Sequence, residues 1–327
     1  MSKEVRKADK EREREQQKAQ QLADMPTREE GLIKTANTSY TVCTTVHTRV
    51  IAEELGKGSF GAVYKVRRKD GVEFAMKCES VNVKKKVGKN LWDVRVELPD
   101  RRYSLNSALK ISEQTLEAIR DLHRVGFLHR DIKPPNFAIG REVDNTLHTV
   151  YVLDFGLCRK IVKKGCDIRA PREHCAFRGT TRYASLAAHE GREQSRKDDC
   201  EAWWYMSAEM MCGELPWRSE KSNERDKVGD MKKKLREDEG APIKTMMVKG
   251  AGDEMRTILL YLDELNYNSI PDYDYVYTML VKACQVHSIE DKTPVDWDRK
   301  REYNGPKYKK GEEYIGEQLA LLKPVRR

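Results

Sequence analysis

The octapeptide His129-Arg130-Asp131-Ile132-Lys133-Pro134-Pro135-Asn136, followed by Asp154-Phe155-Gly156, constrains this chain more than any other feature. The triplet closes an apolar run, Val150-Tyr151-Val152-Leu153, that reads as a short strand. A carboxylate, a cation and an amide within six residues of one loop are what phosphoryl transfer asks for. Asp131 would orient the attacking hydroxyl and accept its proton, and Lys133 would neutralise charge on the transferring group. Asn136 and Asp154 would bind magnesium, a hard cation that takes oxygen ligands.

Upstream, Gly56-Lys57-Gly58-Ser59-Phe60-Gly61-Ala62-Val63 fits G-x-G-x-x-G-x-V between two β-prone runs. Glycines there let a backbone approach phosphate oxygens without a Cβ in the way. Alone, the pattern also suits a plain glycine-rich hairpin. A dinucleotide-binding reading would need a helix after the third glycine, and a strand-like run follows instead. Lys77 ends Phe74-Ala75-Met76-Lys77, a strand after an Asp-Gly turn, where a lysine can pair with ATP phosphates. The candidate ATP contacts are Leu55, Gly56, Gly58, Ser59, Gly61, Val63 and Lys77.

Around these motifs the periodicity changes from two to 3.6. Val50–Leu55, Ala62–Val66 and Glu73–Lys77 read as strands. Ile111, Leu116, Ile119 and Leu122 trace one side of a helix that Gly126 ends. Met255 to Leu265 and Tyr273 to Cys284 carry two further apolar stripes, and both read as core faces. The expected fold class is therefore α+β, a small β-rich lobe followed by a larger helical one.

The chain has 327 residues, with 62 Lys and Arg against 53 Asp and Glu, a net charge of +9. That excess is spread without a basic stripe interleaved with aromatics, so nucleic acid is not expected as a partner. No run reaches the roughly 20 apolar residues of a membrane span, and the charged N-terminus does not read as a signal peptide. The 8 cysteines contain no C-x-x-C pair, which reads as free thiols in a reducing compartment rather than a zinc site. Cytoplasm, with the nucleus as a second compartment, is the expected location, and a monomer the expected state. Residues 1–46 read as a charged disordered tail with a transient helix through Lys10–Leu22, and 299–327 as a polar tail.

These motifs, in this order, resemble those of a eukaryotic protein kinase. More narrowly the chain is similar to the casein kinase 1 superfamily and, within it, the tau-tubulin kinase branch. That narrowing rests on His123-Arg124-Val125-Gly126-Phe127-Leu128 before the octapeptide, on Phe177-Arg178-Gly179-Thr180-Thr181-Arg182-Tyr183-Ala184-Ser185, and on Gly213-Glu214-Leu215-Pro216-Trp217. The resemblance implies a bilobal kinase domain at 47–298, with lobes of about 47–88 and 89–298, and ATP and Mg2+ as cofactors. It also implies that Asp199 fastens the catalytic loop. Lys133 with the Pro-Pro-Asn after it implies Ser/Thr rather than tyrosine substrates. Arg178, Thr180 and Arg182 would bind substrate. Eight basic residues between Phe155 and Ser185 point to acidic or phosphorylated Ser/Thr sites, by resemblance including cytoskeletal proteins.

One interval departs from the family's pattern. Only 51 residues, 78–128, separate Lys77 from His129. A helix C, two strands, a hinge and two further helices need roughly 75–85 residues at ordinary element and loop lengths. Helix C, with the carboxylate that would pair with Lys77, is therefore expected to be missing, with the strands beside it and part of the hinge. Glu79 lies too close along the same strand to replace that carboxylate, and Glu97 falls in the following helix. The alternative to an active Ser/Thr kinase is a binding or scaffold protein on a kinase fold.

Overall fold

A computed structural model describes residues 87–161, 168–247 and 250–311, together with the backbone of five strands between residues 27 and 79. The chain divides into two compact units, Met1–Lys86 and Val87–Arg327.

In the first unit, β1 (Thr27–Glu29) and β2 (Leu32–Lys34) form an antiparallel pair. This corrects the expectation of an unstructured tail to residue 46: averaged over 46 residues, the charge hides a short β-prone run, Leu32-Ile33. The helix expected through Lys10–Leu22 lies outside the described residues. β3 (Arg49–Gly58), β4 (Gly61–Arg68) and β5 (Glu73–Glu79) form a three-stranded antiparallel sheet in sequential order. Two register shifts in β3 pass over Ala52 and Leu55, as β-bulges do.

The second unit is helical. α1 (Leu91–Glu97) begins at Asn90, whose side chain accepts from the Asp93 amide. α2 (Leu105–Arg124) is capped by Ser104 and ends where Gly126 turns to φ +84°. Four short strands follow: β6 (Phe127–Leu128), β7 (Phe137–Ile139), β8 (Val150–Val152) and β9 (Arg159–Lys160). β6 pairs with β9 and β7 with β8, both antiparallel. After them come α3 (Leu186–His189), α4 (Arg196–Cys212), α5 (Arg225–Lys234), α6 (Ala241–Met246), α7 (Gly252–Asp263) and α8 (Tyr273–Val286).

α4 organises the rest. Ser195 and Asp198 form a capping box at its start. Its residues Trp203, Trp204, Tyr205 and Met206 are all fully buried, so the helix is covered on every side. The indole N–H of Trp203 donates to Ser112 O and Thr115 Oγ1 of α2, and that of Trp204 to Met255 O of α7. The apolar stripes of α2 and α7 pack against this helix, and that of α8 packs against α2 and α7. All three are core faces, as the periodicity predicted. Each large side chain so covered contributes about 1.5–3 kcal/mol.

Residues 299–311 correct the polar-tail expectation. Tyr303 and Tyr308 are buried. Gln114 of α2 donates to Tyr303 OH, Arg120 donates to Lys309 O, and Tyr308 OH donates to Asp274 of α8. Two tyrosines give a polar segment enough apolar surface to dock along two helices.

Candidate active site

The segment His129–Asn136 leaves β6 and enters β7, so one strand of each two-stranded sheet fixes an end of it. Its start is held from α4. Asp199, buried, accepts the His129 amide at 2.7 Å and the Arg130 amide at 2.8 Å. Those bonds keep Arg130 at φ +66°, a left-handed conformation unusual for a residue with a side chain. His123 of α2 adds a third bond to Asp199, from Nε2 at 2.9 Å, and its Nδ1 accepts from Tyr273 OH at 2.6 Å. Burial pushes the His123 pKa down, which keeps the ring neutral and fits that donor–acceptor pair. Burial would raise the Asp199 pKa, but the bonds from His123 and the loop amides hold it below the usual carboxylate range.

Asp131 sits at the centre of a polar network. Its Oδ2 is 2.6 Å from Lys133 Nζ, and its Oδ1 accepts from Thr180 Oγ1 at 2.8 Å. Lys133 also donates to Thr180 Oγ1 at 3.2 Å. Asn136 donates its amide N–H to Asp131 O at 2.8 Å, which leaves the amide oxygen as an acceptor. The Leu153 amide donates to Asn136 O at 2.7 Å, so the β7–β8 hairpin brings Asp154 beside Asn136. His129 spans the same gap, with Nε2 donating to Leu153 O at 3.0 Å and Nδ1 accepting the Asp131 amide. It is fully buried, and its ring nitrogens tie two backbone groups together. Asp154 is exposed at φ +56°, with Oδ1 accepting from the Gly156 amide.

Arg178 and Arg182 flank the Thr180 turn but differ in environment. Arg178 is exposed. Arg182 is turned toward fully buried Glu209 at 3.3 Å, and Glu209 also takes Arg95 of α1 and the Tyr183 hydroxyl. Two more of the eight basic residues, Arg159 and Arg172, converge on Glu193. Sequence reading foresaw neither acceptor, because each meets partners more than 15 residues away along the chain. Nor did it find partners for His123.

In the strand unit, Gly56 faces Val63 on β4, and Val63 faces Lys77 on β5. Gly58 pairs with Gly61, Leu55 is the residue passed over at a register shift, and Ser59 lies outside the described residues. Glu97 is paired with Lys89 at 2.5 Å. Among the described residues, no helix stands between β5 and α1.

Comparison with known proteins places this network in a family. The protein kinase domain model matches residues 87–249. The chain is 38% identical over 212 residues to serine/threonine-protein kinase spe-6 of Caenorhabditis elegans, covering 64% of this chain and 55% of that protein. It is 30% identical over 215 residues to a probable casein kinase I homolog of Encephalitozoon cuniculi, covering 64% of this chain and 67% of the relative. Casein kinase I homolog 3 of Schizosaccharomyces pombe is 30% identical over 220 residues, 66% of this chain and 48% of that protein. The chain belongs to the protein kinase family, with an α+β kinase fold and serine/threonine kinases among its relatives. It spans about half the length of spe-6 and of the fission-yeast relative. Protein kinase domains in general use ATP and magnesium.

Proposed function

We propose that this chain is a serine/threonine kinase of casein kinase 1 type, nearest in motif pattern to the tau-tubulin branch. It transfers the ATP γ-phosphoryl group to protein Ser or Thr hydroxyls. The observation that carries the reading is Asp131, 2.6 Å from Lys133 and hydrogen-bonded to Thr180, in a loop tied to Asp199. A substrate hydroxyl presented to this carboxylate would lose its proton to Asp131 as its oxygen bonds to the γ-phosphorus. The bond from that phosphorus to the β-bridging oxygen breaks, ADP leaves with the electron pair, and Lys133 offsets the charge on the transferring group. Asp154 and the Asn136 amide oxygen are suited to a hard cation, with phosphate oxygens completing its shell. Lys77 and the Gly56–Gly61 turn are assigned to the phosphates.

Acidic or phosphorylated substrate sites are assigned to the basic group around Arg130, whose pKa is lowered by burial and then by the charges of Arg178 and Arg159. Arg182 counts for less, because Glu209 offsets its charge. The test is phosphorylation of an acidic Ser/Thr peptide by the purified chain with ATP and Mg2+. Asp131→Asn should cut turnover by at least about 10²-fold, and Asp154→Asn should abolish the Mg2+-dependent thermal shift with ATP. No nucleotide shift in wild type at millimolar ATP would refute the reading, and preference for basic peptides would refute the acidic-site assignment.

A second reading, a kinase fold with weak or absent catalysis, draws on the short connection after β5 and on Glu97 being engaged by Lys89. Without a fixed carboxylate, Lys77 would be a poorly oriented clamp, with a turnover cost on the order of 10²–10³-fold. A version carrying the missing helix and strands from a relative separates the two readings: equal turnover favours the first, a large gain the second.

A further inference from the structure

Lys232 lies in Met231-Lys232-Lys233-Lys234 near the end of α5. Lys233 and Lys234 are exposed, whereas Lys232 is fully buried. A lysine rarely enters a core unless its ammonium finds partners. Here three acceptors converge on Nζ: Ala184 O at 2.6 Å, Thr181 O at 3.0 Å and His189 Nε2 at 3.1 Å. Burial pushes the Lys232 pKa well down, but the three acceptors match the three N–H bonds of an ammonium group and favour the charged form. The ring faces of Tyr205 and Trp217 stand 4.5 and 5.3 Å away and add cation–π attraction.

These carbonyls belong to the turn that carries Thr180. Thr180 O accepts the amides of Tyr183 and Ala184, and Arg182 O accepts from the Trp217 indole. The Thr181 and Ala184 carbonyls are the pair that Lys232 takes. Thr180, thus placed, meets both Asp131 and Lys133. We infer that Lys232 is a positioning residue: its buried ammonium fixes the Thr180–Ala184 turn and so sets how a Ser/Thr substrate is presented to Asp131. The inference rests on the kinase reading for its effect on turnover and on geometry alone for its effect on the turn.

The test compares the full chain with Lys232→Met, which keeps the length and removes the charge, and Lys232→Gln, which keeps two N–H donors. With ATP, Mg2+ and an acidic Ser/Thr peptide, the Met variant should lose about tenfold to a hundredfold in kcat/KM for peptide. KM for ATP should stay within about twofold, and the Gln variant should fall between the two. Amide hydrogen exchange should rise at least about tenfold at Tyr183 and Ala184, while His129 and Arg130, bonded to Asp199, keep wild-type protection. Unchanged exchange at the turn overturns the inference. So does equal loss of protection at the turn and at His129–Arg130 in both variants, which would make Lys232 a general stability element. If the wild type transfers no phosphate to any peptide, the kinase reading fails, and the exchange comparison alone decides the role of Lys232.

Discussion

Asp199 accepts three hydrogen bonds from groups that have no other buried partner in its place, so removing it exposes more than one contact. Asp199→Ala leaves the His129 and Arg130 amides and the His123 ring N–H unsatisfied. Stability should drop by about 3–5 kcal/mol, read from the urea midpoint, with turnover falling alongside. His189 offers a pH test. Burial, and then the charge of Lys232, push its pKa from 6.5 down to about 4. Between those values the unfolded chain binds the proton and the folded chain does not. The stabilising neutral ring is therefore fully effective above pH 6.5, and its contribution is lost as pH falls toward about 4. His189→Gln should flatten the stability profile over that window, measured by urea unfolding at successive pH values. An unchanged slope would show that other groups set it.

At the scale of elements, the segment after Asp298 behaves as part of the helical unit. Tyr308 stacks on Tyr277 of α8 with ring centroids 4.3 Å apart, and the Arg120 guanidinium lies 4.5 Å from its ring. Ending the chain at Asp298 removes these contacts and uncovers α2 and α8. The expected loss is about 3–5 kcal/mol, seen as a lower melting temperature with the catalytic loop amides still protected. Trp203→Phe should cost about 1–2 kcal/mol, because Ser112 O and Thr115 Oγ1 lose the indole donor that joins α4 to α2.

For the whole molecule, the largest buried apolar cluster among the described residues runs from Leu91 to Tyr308 and lies within the second unit. Residues 87–311 should therefore fold alone and melt in one cooperative transition; a fragment without protected amides at His129 and Arg130 would refute this. Asp131, Lys133 and Asn136 were legible in the sequence because their spacing within one loop is itself the geometry. The helices were legible because burial of one face imposes a 3.6-residue period, and Ser104 and the Ser195–Asp198 box mark their starts chemically. Local patterns of this kind are written in neighbouring residues, so the sequence by itself determined the elements, their order and the loop that carries the candidate chemistry. Tertiary structure alone decided which charges remain free. Arg182 meets Glu209 across 27 positions, Arg159 and Arg172 share Glu193, and Lys232 reaches carbonyls about 50 residues away. The charge run itself does not distinguish Lys232 from Lys233, although Lys232 shares a helix face with buried Val228 and Leu235. Only the packing of α5 against the Thr180 turn makes one of them a buried cation and leaves the other in water.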